Sequence, residues 1–158
     1  MEEDTAPDRS YIIDEDDGMQ WLERTIAEYK ELPRPERGFF VRVRVNLNDR
    51  HVETVRFNPR GSFRHLKAIV FQTFGMPRMR FVTATYTDPD GNERFLADEE
   101  DLSRVLMTIQ TSRVTRPYNV VRLNLHNVDV RSGNDDVSKL WLWSDDDNPT
   151  VIQRHRIP

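Results

Sequence analysis

The 158-residue chain contains no cysteine. Disulfides, thiolate zinc sites and cysteine nucleophiles are therefore excluded, and the composition fits a reducing compartment. Long apolar runs are also missing: nothing approaches the roughly 18–20 residues that a membrane-spanning helix needs. The first ten residues, MEEDTAPDRS, are acidic and lack the basic-then-apolar order of a secretory signal. Positive charge is not in excess, the net charge being −4, so the chain as a whole does not read as a binder of nucleic acid or of an anionic membrane. These absences lead us to expect a soluble, cytoplasmic protein of one domain with tails, since domains most often run to about 100–150 residues.

What is present is patterned, without an internal repeat. Residues 1–18 are acidic and offer little to bury, which predicts a disordered arm. In GMQWLERTIAEYKEL, Met19, Leu22, Ile26 and Tyr29 fall at helical spacing, with Asp16 or Asp17 as the N-cap. LPRPERG then ends the helix, so that 19–37 reads as a helix and linker. Over 39–47, Val41, Val43 and Val45 alternate with Arg42 and Arg44, as a half-buried strand does. The turn NDR leads into a second alternating strand over 51–57.

Ser62 starts a helix carrying Phe63, Leu66, Ile69, Val70 and Phe74, which Gly75 and Pro77 end. A third strand follows over 78–87, then the turn DPDG, a short strand ERFL and a second core helix. Asp98 caps that helix, and Leu102, Val105, Leu106 and Ile109 form its apolar stripe. The last strand covers 119–125. The order β-β-α-β-β-α-β predicts an α+β chain with the ubiquitin-like β-grasp fold: a mixed sheet of about five strands packed by two helices, plus the N-terminal helix. Residues 127–158 read as a polar, acidic tail around KLWLW (139–143). Trp141 and Trp143 either form a patch for a partner or pack back on the domain.

The chemistry-bearing residues concentrate in YTDPDGNERFLADEEDL (86–102). A calcium loop begun at Asp88 needs glycine at its sixth position; that position is Glu93, and Gly91 comes two residues early. The preceding residues also alternate as a strand, where an EF-hand has a helix. Catalysis has little to stand on. His51, His65, His126 and His155 are scattered, and neither a nucleophile elbow nor a phosphate-cradling glycine loop occurs. We therefore expect no enzymatic activity, no metal or other cofactor and no small-molecule substrate. Helix capping accounts for Asp98 and Asp101, at roughly 0.3–1 kcal/mol each. It leaves unexplained why a turn and a helix start about ten residues apart are both acidic. If the short strand between them folds back, the two form one acidic surface. Basic residues lie elsewhere, at Arg42, Arg44, Arg56, Arg60, Arg64 and Lys67, so one domain would carry a positive and a negative face.

This stretch resembles the acidic OPCA motif of the Phox-and-Bem (PB-one, PB1) domain. Tyr86, Asp88, Asp90, Gly91, Asp98, Asp101 and Leu102 match in register, while Asn92 stands where an acid is common. Arg44 stands where the family's first-strand lysine would be, and Arg56 matches a second-strand arginine. The resemblance covers 38–126. It implies a protein-interaction module that pairs front to back with a similar domain or with itself, in signalling or assembly complexes. The implied acidic face is Asp88, Asp90, Glu93, Asp98, Glu100 and Asp101. The implied basic face is Arg42, Arg44, Arg56, Arg64 and Lys67. Two other readings stand beside it: a Ras-association-type domain that binds a small GTPase through the basic second strand, and a regulatory piece of an enzyme whose catalytic part lies elsewhere.

Overall fold

The protein was analysed as a computed structural model that describes residues 15–35, 39–75, 82–88, 90–112, 120–127 and 139–142. Its elements are α1 (Glu15–Lys30), β1 (Val41–Leu47), β2 (His51–Phe57), α2 (Phe63–Phe74), β3 (Val82–Thr87), β4 (Glu93–Phe95), α3 (Glu99–Ser112) and β5 (Val120–Asn127). The strands form one sheet in the order β2-β1-β5-β3-β4. β1 pairs antiparallel with β2 and parallel with β5, and β3 pairs antiparallel with both β5 and β4. A parallel central pair flanked by two antiparallel hairpins is the ubiquitin-like β-grasp arrangement, and the described residues are α+β with a five-stranded mixed sheet and three helices.

Alternation decides which side is buried. Val41, Val43 and Val45 of β1, Val121, Leu123 and Leu125 of β5, and Val82, Ala84 and Tyr86 of β3 face the helices and join one core with Phe63, Leu66, Val70, Phe71, Leu102 and Val105. The hairpin between β1 and β2 turns on Asn48 and Asp49, both left-handed (φ 55° and 58°), with Arg50 N–H donating to Leu47 O. Positive φ at both central positions suits the right-handed twist of the strands it joins, and Asn and Asp tolerate it better than most residues. Gly75, at φ 83°, closes α2 by donating its N–H to Phe71 O.

The core reaches past the expected domain limits of 38 and 126 at both ends. α1 begins at Glu15, so residues expected in a loose arm are helical and Asp16 and Asp17 lie inside the first turn. The helix docks through Trp21, Leu22 and Ile26; Met19, expected on its buried stripe, is 38% exposed. Trp21 carries the larger apolar surface and meets Phe71 edge to face at 6.4 Å, which rotates the stripe one side round. Tyr29 stacks on Phe57 at 5.9 Å, and its hydroxyl accepts Asn58 N–H (2.7 Å) and lies 3.3 Å from Arg56 O, to which it donates.

At the other end Leu140, Trp141 and Leu142 are buried. Trp141 is fully enclosed between Phe63 and Phe71, edge-on to both. Its indole N–H donates to Leu96 O at 2.7 Å and its backbone N–H to Val82 O at 2.9 Å. Of the two readings of the tryptophans, the structure selects packing for Trp141; Trp143 lies outside the described residues. A buried indole needs a partner for its N–H, and the Leu96 carbonyl, free where β4 stops short, supplies it. Among the described residues, no helix is long and apolar enough to cross a membrane.

Candidate protein-interaction surfaces

The acidic stretch is built around one carboxylate that serves the backbone. Asp88 Oδ1 accepts the N–H of Asp90 (3.0 Å) and of Asn92 (2.8 Å), and Oδ2 accepts Arg94 Nε at 2.6 Å. The Asp88 side chain is only 9% exposed as a result. The turn closes with Gly91 N–H donating to Asp88 O and Asp88 N–H to Asn92 O. Gly91 sits at φ 87°, a conformation that a side chain at this position would strain. The Arg94 guanidinium, followed by the Asn92 N–H, holds the Asp88 carboxyl below its ordinary range, and Asp88 in turn raises Arg94.

Ten residues on, the helix start repeats the device. Asp98 accepts Asp101 N–H at 2.8 Å, and Asp101 reaches back to accept Ala97 N–H at 2.9 Å. Reciprocal capping of this kind satisfies helix-end donors that would otherwise lack partners, and is worth about 0.5–2 kcal/mol. Glu99 turns the other way and accepts the first N–H of α2, that of Phe63, at 2.7 Å. The α2 end is closed further by His65, whose Nδ1 accepts Ser62 N–H at 3.0 Å in the place of the usual capping-box carboxylate. Burial, and secondarily Arg64, holds the His65 imidazole below its ordinary pKa, against the opposing pull of Glu28.

The turn and the helix start meet over Tyr86. Burial raises its phenol, the Asp101 carboxylate adds to this, and Arg94, Arg104 and Asp88 also act on it electrostatically. Asp88, Asp90, Asp98, Glu100 and Asp101 thus share one corner of the molecule. Two arginines stand among them. Arg94 bonds Asp88, and Arg104 pairs with Asp101 (2.9 Å) and Glu100 (3.1 Å). Glu93 does not join the group. It points to the opposite side of the sheet, where its carboxylate accepts the Thr85 hydroxyl at 2.7 Å beside His126. Period-two geometry is the reason, since Glu93 pairs with Thr87 while Arg94 pairs with core-facing Tyr86.

The basic residues divide likewise. Arg42 and Arg44 of β1 and Arg56 of β2 project from the open side of the sheet and are exposed. Arg42 lies directly opposite Arg56, and the Arg56 guanidinium covers the Phe40 ring at 4.3 Å. Arg64 and Lys67 stand on α2, on the other side. Arg64 pairs with Glu28 of α1. Lys67, expected on the basic face, is fully buried: its Nζ donates to Leu142 O at 3.0 Å and lies 5.3–5.5 Å from the Phe63 and Trp21 rings. A desolvated ammonium requires such partners, and their presence turns the side chain inward.

Sequence reasoning missed one residue. Arg122 of β5 is exposed and pairs in register with Arg44. The sequence places it on a strand, with Val121 and Leu123 as inward neighbours, but does not say which strand β5 joins.

No protein-family model and no curated protein matches the chain. Among solved structures, the AtNBR1-PB1 domain is similar to it with a TM-score of 0.43 and 20% sequence identity, over 56% of this chain and 98% of that one.

Proposed function

We propose that the chain is a non-catalytic protein-interaction module whose partner is a similar domain or a second copy, working in signalling or assembly complexes of the cytoplasm. The acidic corner, with Asp90 and Glu100 outermost, Asp98 and Asp101 half-buried at the helix start and Asp88 shaping the turn, seats on a basic surface that includes Arg42, Arg44 and Arg56. Residues 38–126 carry both faces of the interaction domain. The observation that carries this reading is positional. The basic strands β2 and β1 begin one edge of the sheet and the acidic turn closes the other, at β4. Opposite charges at opposite ends of one body favour a head-to-tail contact, and a head-to-tail contact that does not close on itself propagates. Several preorganised, bidentate arginine–carboxylate pairs set partner choice and speed association.

Blocking one face at a time tests it. Arg44→Glu removes the basic half, and Asp90→Arg with Glu100→Arg removes the acidic half. Each variant alone is expected to be monomeric, while the mixture forms a one-to-one complex through the two intact faces. A mixture that stays monomeric contradicts the proposal. The GTPase reading draws on the outer edge of β2, which pairs with β1 on one side alone. It is separated by the same Arg44→Glu variant, which would then lose GTPase binding with self-association absent throughout.

A further inference from the structure

On the open side of β2, β1 and β5, strand register lines up Val52, Thr54 and Arg56 with Asn46, Arg44 and Arg42, and these with Asn124, Arg122 and Val120. Four arginines occupy this surface, and the carboxylates nearest it are engaged elsewhere: Asp49 accepts Asn46 Nδ2 at 2.9 Å and Glu93 accepts the Thr85 hydroxyl at 2.7 Å. Arg42 faces Arg56 across one ladder, and Arg44 faces Arg122 across the next. Adjacent strands lie about 4.8 Å apart, and like charges directly opposite destabilise a sheet. None of the four makes an ion pair with a described residue, whereas Arg64, Arg94 and Arg104 all do. Glu53 offers no relief, because it sits opposite core-facing Val45 and pairs with His51.

We infer that the basic site spans three strands and that Arg122 of β5 is part of it, its occupant being the acidic corner of a second copy of this chain. The inference rests on the proposed function and adds to it the residue and the partner surface. Charge complementarity selects the occupant. The corner presents Asp90, Asp98, Glu100 and Asp101 at the far end of the same sheet, with Glu100 76% exposed. A guanidinium binds a carboxylate through two parallel N–H donors, so Arg44 and Arg122 side by side can each hold one carboxylate of the helix start. Arg42 and Arg56 remain for the turn. Contact across three strands also fixes the orientation of the second copy, which a single arginine on an edge does not.

The test uses the full chain and follows molar mass against concentration at low salt by sedimentation. Arg122→Glu should weaken self-association by about ten-fold or more, the range that close charge pairs command across interfaces. Arg122→Lys should fall between it and the parent and keep the parent's melting temperature, while Arg122→Glu, which replaces the repulsion with Arg44 by an attraction, should melt no lower than the parent. Mixing Arg122→Glu with Glu100→Arg should recover part of the loss. If Arg44→Glu abolishes association and Arg122→Glu leaves it unchanged, the three-strand site is wrong and the proposed function stands. If neither changes association, both fail. A parent chain that stays monomeric yet binds vesicles rich in anionic phospholipid overturns the second copy as occupant.

Discussion

The acidic corner and the basic sheet face carry opposite charge, and they are built in opposite ways. Every carboxylate of the corner except Asp90 has a role inside the fold: Asp88 holds the turn, Asp98 and Asp101 cap α3, and Glu100 pairs with Arg104. The arginines of the sheet face make no ion pair with a described residue, Arg56 resting on the Phe40 ring, and two pairs of them repel across their ladders. The corner is thus rigid and already half neutralised, while the sheet face is held in place by β-structure alone and gains most from an external anion. The difference teaches that charge count is a poor guide to either surface. What matters is how much of each charge the fold has already used.

Removing the support of one region alone should break the comparison most strongly. Trp141 anchors Leu96 and Val82, the backbone beneath the acidic corner, through its two N–H groups. Trp141→Ala should cost about 3–5 kcal/mol of stability in denaturant unfolding. Amide exchange should rise first over 82–101, with the β1–β2 hairpin protected longest. Equal loss of protection in both regions would show that the corner does not depend on this residue.

Asp88 comes next. Because its side chain is nearly covered, Asp88→Ala should weaken association by on the order of ten-fold through loss of the turn, since two N–H groups and Arg94 lose their acceptor. The sign of its pH dependence follows from a folded pKa below the unfolded one. Its contribution is present above the ordinary carboxylate range and is lost as pH falls through the lowered value. The acid limb of a stability–pH curve should therefore flatten in the variant, a change that thermal melts between pH 5 and pH 2 can read.

Arg104→Gln should act in the opposite direction. Freeing Glu100 and Asp101 of their own arginine makes the corner more acidic, and association should tighten by about two- to five-fold at low salt, in keeping with exposed pairs worth about 0–1 kcal/mol. A weakening would mean that Arg104 orients these carboxylates more than it masks them.

The smallest effect concerns neither face. His65 has a folded pKa below its ordinary 6.5, so its contribution is present above that value and is lost as pH falls through the lowered one. His65→Gln should reduce the slope of stability with pH below about 6.5 and leave association constants unchanged.

Legibility in the sequence followed the same divide. The corner is contiguous, so spacing alone placed Asp88, Asp90, Asp98 and Asp101 on a turn and a helix start, and the alternation of Val41, Val43 and Val45 marked β1 as half-buried. The sheet face is assembled from strands far apart in the chain. Arg122 could not be assigned to it without knowing that β5 lies parallel to β1. In the sequence Lys67 is one more cation of the first core helix. Only the placement of Trp21, Phe63 and the 139–142 segment around it reveals a buried ammonium. Glu93 lies within the acidic stretch of the sequence, yet one residue along a strand reverses the face.

The central claim is that one chain bears two complementary surfaces that meet between copies. Molar mass by sedimentation equilibrium, across concentration and at low and high salt, tests it most directly. The account predicts a mass that climbs steadily with concentration at low ionic strength and returns to that of the monomer near 1 M salt, where screening acts over about 3 Å. A constant monomer mass at low salt, or an oligomer indifferent to salt, would contradict it.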